Sequence, residues 1–203
     1  MEALESKKIG VFLARFQPLH KAHIYVIQTA LKECEKVIIL MGSSNKESML
    51  RNPFSFDIRY SLLRDSLNNS EDMERIEIYE LPDWSQEDKA EDNQIWGSYL
   101  YYNIVSRIKQ KTFNFYYSDK PDIVAEWFTA DIQKYITHRF LDRHTIFSGL
   151  SATKIRSAIL NFSEEDQLYL KECLPDAVYR RINELRGIWL DVYNNPKPDF
   201  TMK

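Results

Sequence analysis

The sequence predicts a doubly wound parallel α/β sheet followed by a helical C-terminal extension. Short apolar runs, of the kind found in strands buried on both faces, recur up to residue 147. The segments between them carry apolar residues three and four positions apart, which is the spacing of one helix face. Strands that alternate with helices in this way are typical of a parallel sheet covered on both sides. After Ser151 only helical patterns remain.

The strands are predicted from continuous or alternating apolar runs. The first two runs are uninterrupted, and the third alternates around Ile76 and Ile78. A turn at 118–121 ends the fourth, and a very short fifth strand is predicted shortly before the C-terminal helices. The predicted strands cover residues 9–13, 37–41, 75–81, 113–117 and 145–147.

Helices are predicted where apolar side chains recur every three or four residues. The first begins at about Lys21 and has Ile24 and Ile27 on its apolar face. Polar residues 42–53 and acidic residues 82–92 are predicted loops. The other predicted helices cover residues 55–67, 94–111, 122–130, 163–173 and 176–192.

Length and cysteine use limit the organisation and location of the protein. A chain of 203 residues forms one or two domains, and the simplest division is one domain over 1–203. Its parts are an α/β core over 8–150 and a helical part over 151–193. Cys34 and Cys173 are far apart in sequence and are predicted to be reduced core residues. We expect a cytoplasmic protein, because no apolar run reaches the ~18 residues of a membrane span and the polar N-terminus is unlike a signal peptide.

Charge and glycine content exclude several ways of binding nucleotides and nucleic acids. Lys and Arg number 27 against 30 Asp and Glu, so the net charge of −3 gives no protein-wide basic surface. No nucleic-acid partner is therefore predicted. The five glycines are isolated from one another, which removes both the G-x-G-x-x-G fingerprint and the glycine-rich P-loop. Any bound phosphate must therefore be held by groups other than a glycine-rich loop.

Two histidines follow the first predicted strand and begin the next helix. His20 and His23 are three residues apart, so both imidazoles lie on one face near the positive end of the helix dipole. Arg15 and Lys21 add cations nearby. Ligands of such sheets bind beyond the carboxyl ends of the strands, where this segment lies. The pair therefore predicts an anion site, and without a local carboxylate or cysteine it makes a weak metal site.

A second candidate motif begins the C-terminal helical part. Ser151 is a predicted helix N-cap, and Lys154 and Arg156 fall in the first turns after it. Cations in these positions oppose the helix dipole, so a phosphate bound at the helix start would explain them. The alternative is that they are solvated charges on an exposed turn.

Together the two motifs resemble those of the HxGH nucleotidyltransferase superfamily. His20-Lys21-Ala22-His23 is similar to the first motif, and the stretch 151–156 is similar to the second, S-x-T-x-x-R. The longer stretch 15–23 resembles the G-R-F-Q-P-x-H-x-G-H of archaeal-type nicotinamide mononucleotide (NMN) adenylyltransferases. The resemblance runs from about residue 8 to 187 and implies a Rossmann-like nucleotidyltransferase fold. Further similar stretches are 42–44 (G-S-A), 51–54 with Arg59 (N-P-F-x-x-x-x-R), 81–83 (I-P-D), 95–96 (L-W) and 174–178 (V-P-x-x-V).

The resemblance implies an adenylyltransferase that joins NMN and ATP to give NAD and pyrophosphate. The NMN phosphate would attack the ATP α-phosphorus directly, with Mg²⁺ held through the ATP phosphates and no protein residue as a dedicated metal ligand. The resemblance also implies a homo-oligomer. No membrane partner is predicted, because no apolar run reaches the ~18 residues of a membrane span. Catalytic roles are implied for His20, His23 and Arg156. The implied ATP-binding residues are Arg15, Phe16, Gln17, Lys21, Ser151, Thr153, Lys154 and Arg156, and the implied NMN-binding residues are Ser43, Arg51, Asn52 and Trp96.

Departures from the family pattern leave alternatives open. Ala14 and Ala22 stand where the family commonly has glycine, and 118–121 replaces its usual G-N-P turn. Asp119 in this turn would disfavour a base that carries a carboxylate. The acceptor could instead be nicotinate mononucleotide, phosphopantetheine or an alcohol phosphate. A catalytically silent nucleotide-binding protein is the alternative from a different class.

Overall fold

Five parallel strands form one sheet among the described residues, which are 8–67, 70–83 and 92–197 of the computed structural model. The order is β3-β2-β1-β4-β5, and every neighbouring pair is parallel. The chain winds outward from β1 in both directions, so the strand order reverses between β1 and β4 and leaves a crevice beyond their carboxyl ends. The predicted doubly wound sheet is confirmed. The strands are β1 (Ile9–Ala14), β2 (Lys36–Gly42), β3 (Ile76–Leu81), β4 (Phe113–Tyr117) and β5 (Ile136–Phe140).

Helices cover both faces of the sheet. One buried cluster joins α1, α2 and the C-terminal helices to sheet residues such as Phe12 and Ile39, and a second lies against α4, α5 and α6. Ile155, Leu174 and Trp189 belong to the first cluster, so the helices after 151 share a core with the sheet. The helices are α1 (Lys21–Glu33), α2 (Phe56–Ser66), α3 (Ser70–Glu74), α4 (Asp92–Ile108), α5 (Pro121–Trp127), α6 (Ala130–Gln133), α7 (Arg143–Phe147), α8 (Ala152–Asn161), α9 (Glu164–Cys173), α10 (Asp176–Arg180) and α11 (Ile182–Asn194).

The predicted fifth strand over 145–147 is wrong, because this segment belongs to helix α7. The Asp142 carboxylate caps that helix, accepting from the His144 backbone N–H at 2.9 Å and the Thr145 hydroxyl at 2.6 Å. The true fifth strand is β5, which pairs only with β4 at the sheet edge. Its residues Thr137 and Arg139 are exposed, so it has no continuous apolar run.

Two predicted helices are each divided in the structure. The predicted helix over 176–192 is α10 and α11, separated at Arg181, and the predicted helix over 122–130 is α5 followed by the start of α6. Most of the predicted acidic loop, residues 84–91, lies outside the described residues. Within the described ranges, no helix has the length and apolarity needed to cross a bilayer.

Candidate active site

A cleft of about 470 Å³ opens beyond the carboxyl ends of β1, β2 and β4, at the crevice that the strand order creates. Its walls come from the segment after β1, the turn after β4, and helices α4, α5, α7 and α8. The predicted site residues that line this cleft are Arg15, Phe16, Gln17, His20, His23, Ser43, Trp96 and Arg156.

His20 and His23 form a stacked pair at the start of α1. Their ring centroids are 3.6 Å apart and the planes differ by 18°. His23 is the third residue of α1. Its Nδ1 accepts a hydrogen bond from the His20 backbone N–H at 3.3 Å and so caps the start of the helix. Because Nδ1 accepts this bond, the neutral His23 ring carries its proton on Nε2. The pair therefore offers a ring N–H to an anion in the cleft.

Burial keeps both imidazoles neutral in the free protein. Burial, followed by the charge of Arg143, lowers the pKa of His20 to about 3. The pKa of His23 is also well below its usual value, chiefly because of burial and then because of His20 and Arg143. At neutral pH the pair thus acts through neutral N–H donors, and an anion that brought negative charge beside it would raise both pKa values.

Arg156 brings a buried positive charge to the same cleft. Its side chain reaches from α8 to the segment after β1, where Nη1 donates to the Gln17 carbonyl at 2.7 Å. Burial and the nearby charges of Arg15 and Arg51 lower its pKa to about 10, so it stays protonated at pH 7. No ion pair between described residues includes Arg156. A desolvated cation with other cations nearby favours a ligand that carries several negative charges.

Gln17 and Arg59 connect the backbone segments around the cleft through hydrogen bonds. The Gln17 amide exchanges two hydrogen bonds with the Phe54 backbone, at 2.8 and 3.0 Å, and so fastens the loop before α2 to the segment after β1. Arg59 is 0% exposed and donates to the carbonyls of Arg15 at 2.9 Å and Gly42 at 2.8 Å. It therefore ties the chain just after β1 to the end of β2. Both polar atoms of the Gln17 side chain therefore have partners within the protein.

Ser43 and Trp96 reach the cleft from different elements, the end of β2 and helix α4. The Ser43 hydroxyl donates to the Asp83 carboxylate at 3.0 Å, which joins the ends of β2 and β3. Trp96 of α4 packs edge-to-face on Trp127 of α5, with centroids 6.3 Å apart. Trp96 and Trp127 provide an aromatic wall suited to a flat base.

Six predicted site residues do not line the cleft. Ser151 caps α8 by accepting from the Lys154 backbone N–H at 3.4 Å, and the start of α8 reaches the cleft at Ala152. Lys21 lies in a separate groove beside Pro175. Asn52 is buried and its Oδ1 has no partner. The six residues are Lys21, Arg51, Asn52, Ser151, Thr153 and Lys154.

The structure also brings residues into the cleft that the motifs do not identify. Tyr117 comes from the end of β4, Trp127 from α5 and Arg143 from α7, and Asp119, which the sequence already singled out in the turn after β4, lines the cleft as well. Sequence reasoning missed Arg143 because the fifth strand was predicted at 145–147. Only with β5 at 136–140 does Arg143 follow the end of a strand. Three or more potential metal ligands do not cluster anywhere in the described part of the chain.

Fold and cleft together define a nucleotidyltransferase-type architecture, and the chain belongs to the cytidylyltransferase-like family, whose model matches residues 11–158. Two curated relatives are named nicotinamide-nucleotide adenylyltransferase. One, from Saccharolobus solfataricus, is 31% identical over 88% of this chain and 91% of its own length. The other, from Pyrobaculum arsenaticum, is 29% identical over 88% of this chain and 89% of its own.

A solved structure has the same fold at lower identity. It is a bifunctional NMN adenylyltransferase/ADP ribose pyrophosphatase from Francisella tularensis, in complex with AMP and a manganese ion. The TM-score is 0.72 at 22% identity, over 93% of this chain. This chain spans about half of that longer protein, 52% of its length.

Proposed function

We propose that this protein is an adenylyltransferase that transfers the AMP part of ATP to the phosphate of NMN, giving NAD and pyrophosphate. The observation that carries the proposal is that the buried, protonated Arg156 and the neutral pair His20 and His23 line the same cleft. The names of the two curated relatives support NMN as the acceptor, because each match covers most of this chain and most of the relative.

The reaction requires alignment and charge neutralisation more than covalent chemistry from the protein. An oxygen of the NMN phosphate attacks the α-phosphorus in line, a P–O bond forms, the bond from the α-phosphorus to the bridging oxygen breaks, and pyrophosphate leaves with its electron pair. His20 and His23 donate ring N–H bonds to the phosphate oxygens, where negative charge develops. Arg156 neutralises charge on the β and γ phosphates.

The remaining motif residues position or attract the substrates. Gln17 acts as a positioning residue through Phe54, and Arg51 adds to the positive field around Arg156. The proposed ATP-binding set is Arg15, Phe16, Gln17, Lys21, Ser151, Thr153, Lys154 and Arg156. The proposed NMN-binding set is Ser43, Arg51, Asn52 and Trp96.

We propose that Mg²⁺ is bound mainly by the phosphates of ATP and by water. The donor chemistry fits, because cleft carboxylates such as Asp83 and Asp119 are already paired with protein groups and no three-ligand cluster lies in the described part of the chain. Mg²⁺ supplies charge neutralisation of the phosphates when bound.

We infer one domain of residues 1–203, because the helical part 151–193 and the core 8–150 share a buried cluster. A cytoplasmic location is proposed, and the unpaired state of both cysteines supports it. The homo-oligomer and the lack of nucleic-acid or membrane partners stay predictions.

An acceptor panel tests the proposed reaction. Purified protein with MgATP is given NMN, nicotinate mononucleotide, phosphopantetheine or glycerol phosphate, and pyrophosphate release is followed. We expect NMN to give the highest kcat/KM and NAD as the product. If pyrophosphate were released with one of the other acceptors and not with NMN, the proposed acceptor NMN would be wrong. ATP binding without turnover on any acceptor would favour the catalytically silent alternative.

A further inference from the structure

Arg143 and Asp119 form an ion pair in the cleft that the proposed function leaves without a role. Asp119 follows β4 and Arg143 begins α7, so the pair joins segments that come after neighbouring strands. Arg143 Nη2 donates to Asp119 Oδ2 at 2.6 Å. Both side chains line the cleft. The Arg143 side chain is 20% exposed and the Asp119 side chain is 40% exposed.

The ion pair leaves donors of the guanidinium unused. A guanidinium has five N–H groups in a fixed fork, and the bond to Asp119 employs Nη2. Arg143 Nε is buried and has no partner. An unpaired buried donor is costly, so a ligand that accepts from it gains affinity.

Arg143 lies near the other groups proposed to bind phosphate. Its charge contributes to the lowered pKa of both His20 and His23. Arg15 and Arg156 line the same cleft, so three guanidiniums and a neutral imidazole pair share it. Such a concentration of positive charge suits a polyanion better than a single phosphate.

We propose that Arg143 is a further phosphate-binding residue for the triphosphate of ATP and that Asp119 is its positioning residue. Asp119 orients the guanidinium through Nη2, while its own negative charge opposes the incoming polyanion. The two residues therefore have opposite electrostatic effects on triphosphate affinity. This inference rests on the proposed function only in naming ATP as the source of the triphosphate.

Calorimetry with inorganic tripolyphosphate and with the β,γ-imido analogue of ATP tests this inference without any acceptor. We expect Arg143→Gln to weaken both ligands by about 10- to 100-fold, the usual worth of a charge-assisted hydrogen bond. Asp119→Asn retains an acceptor for Nη2 and removes the charge, so both ligands should bind about 2- to 5-fold more tightly. Arg139→Gln is the matched control, because Arg139 makes a 2.6 Å ion pair with Glu33 and does not line the cleft.

Opposite signs for Arg143→Gln and Asp119→Asn, with Arg139→Gln unchanged, support the proposal. Equal weakening by the two cleft variants would mean that the pair only fastens α7, and unchanged affinities would remove Arg143 from the binding site. Equal weakening by Arg139→Gln would assign the effect to net charge. If Arg143→Gln does not fold, Asp119→Asn decides alone, since unchanged or weaker binding overturns the proposal. Failure of NMN as acceptor would leave these affinities unaffected, so the two proposals fail separately.

Discussion

Two residues that line the cleft have a buried polar atom without a partner in the protein, namely His20 Nδ1 and Arg143 Nε. Described residues outside the cleft, such as Asn52, Arg59 and His138, have such atoms as well. An unsatisfied buried group typically costs about 1–3 kcal/mol, so the two in the cleft are unfavourable for folding alone. Sites that bind charged ligands commonly retain such groups, since the ligand or its water completes the hydrogen bonds. At the residue scale, stability is thus exchanged for binding.

His23→Ala is the direct test of the histidine pair. The ring donates to the phosphates through Nε2 in the proposed mechanism, so we expect kcat to fall by about 10²- to 10³-fold, the cost of one preorganised donor. Steady-state kinetics with NMN and ATP would measure it, and a thermal melt would show that the variant is folded. Tyr102→Ala is the control for loss of a ring, because Tyr102 is 66% exposed and does not line the cleft. An unchanged kcat for His23→Ala would refute this mechanism.

The depressed pKa of His20 predicts loss of stability in acid. Its pKa is about 3 in the folded protein and about 6.5 unfolded, so between these values the unfolded chain binds the extra proton. The contribution of neutral His20 to the free energy of unfolding is fully present above pH 6.5. It is lost as the pH falls, by up to about 1.4 kcal/mol per pH unit. Denaturant unfolding from pH 7 to 5 should show a smaller slope for His20→Asn than for the natural protein. Equal slopes would contradict a neutral buried His20.

At the scale of elements, the aromatic wall depends on a close approach of two helices. A Cβ added at Gly97 of α4 would overlap the carbonyl oxygen of Trp127 in α5. Gly97 therefore allows α4 and α5 to touch beside Trp96 and Trp127. The neighbouring side chains cannot relieve the overlap, because it involves backbone.

Gly97→Ala should lower the free energy of unfolding by about 1–3 kcal/mol, the usual cost of overpacking. It should also raise KM for NMN more than KM for ATP, since the proposed base-binding wall moves. Gly187→Ala in α11 is the matched control. A Cβ there meets nothing within 4 Å, so this variant should gain up to about 1 kcal/mol from helix propensity. Equal KM values for NMN in Gly97→Ala and the natural protein would remove the wall from the acceptor site.

Buried elements could be predicted from the sequence better than edge elements. The continuous runs of β1 and β2 identify them, because both faces of each are covered by helices. β5 has neighbours on one side and polar residues along it, so its pattern is indistinguishable from a loop. The two histidines were predictable from spacing. Arg143 and Trp127 were not, because their presence in the cleft depends on how α5 and α7 pack.

At the scale of the whole molecule, the C-terminal helices complete the core and support the site. Trp189 of α11 is 5% exposed, and its Nε1–H donates to the Arg156 carbonyl at 2.9 Å. α11 therefore contacts the helix that carries the proposed phosphate-binding arginine. The same helices bury the face of α1 and α2 that would otherwise be apolar surface.

This shared core predicts that the chain folds as one cooperative unit. A chain ending at Phe162 lacks α9 to α11, and with them Leu174, Leu185 and Trp189 from the cluster. Since each fully buried side chain of this kind contributes about 1.5–3 kcal/mol and a typical domain has only about 5–15 kcal/mol, the shortened chain should lose its cooperative melt. Calorimetry of both chains would measure this. A sharp transition near that of the full chain would make the removed helices, α9 to α11, dispensable for the core and would require the phosphate motif on α8 to fold without the helices that now cover it.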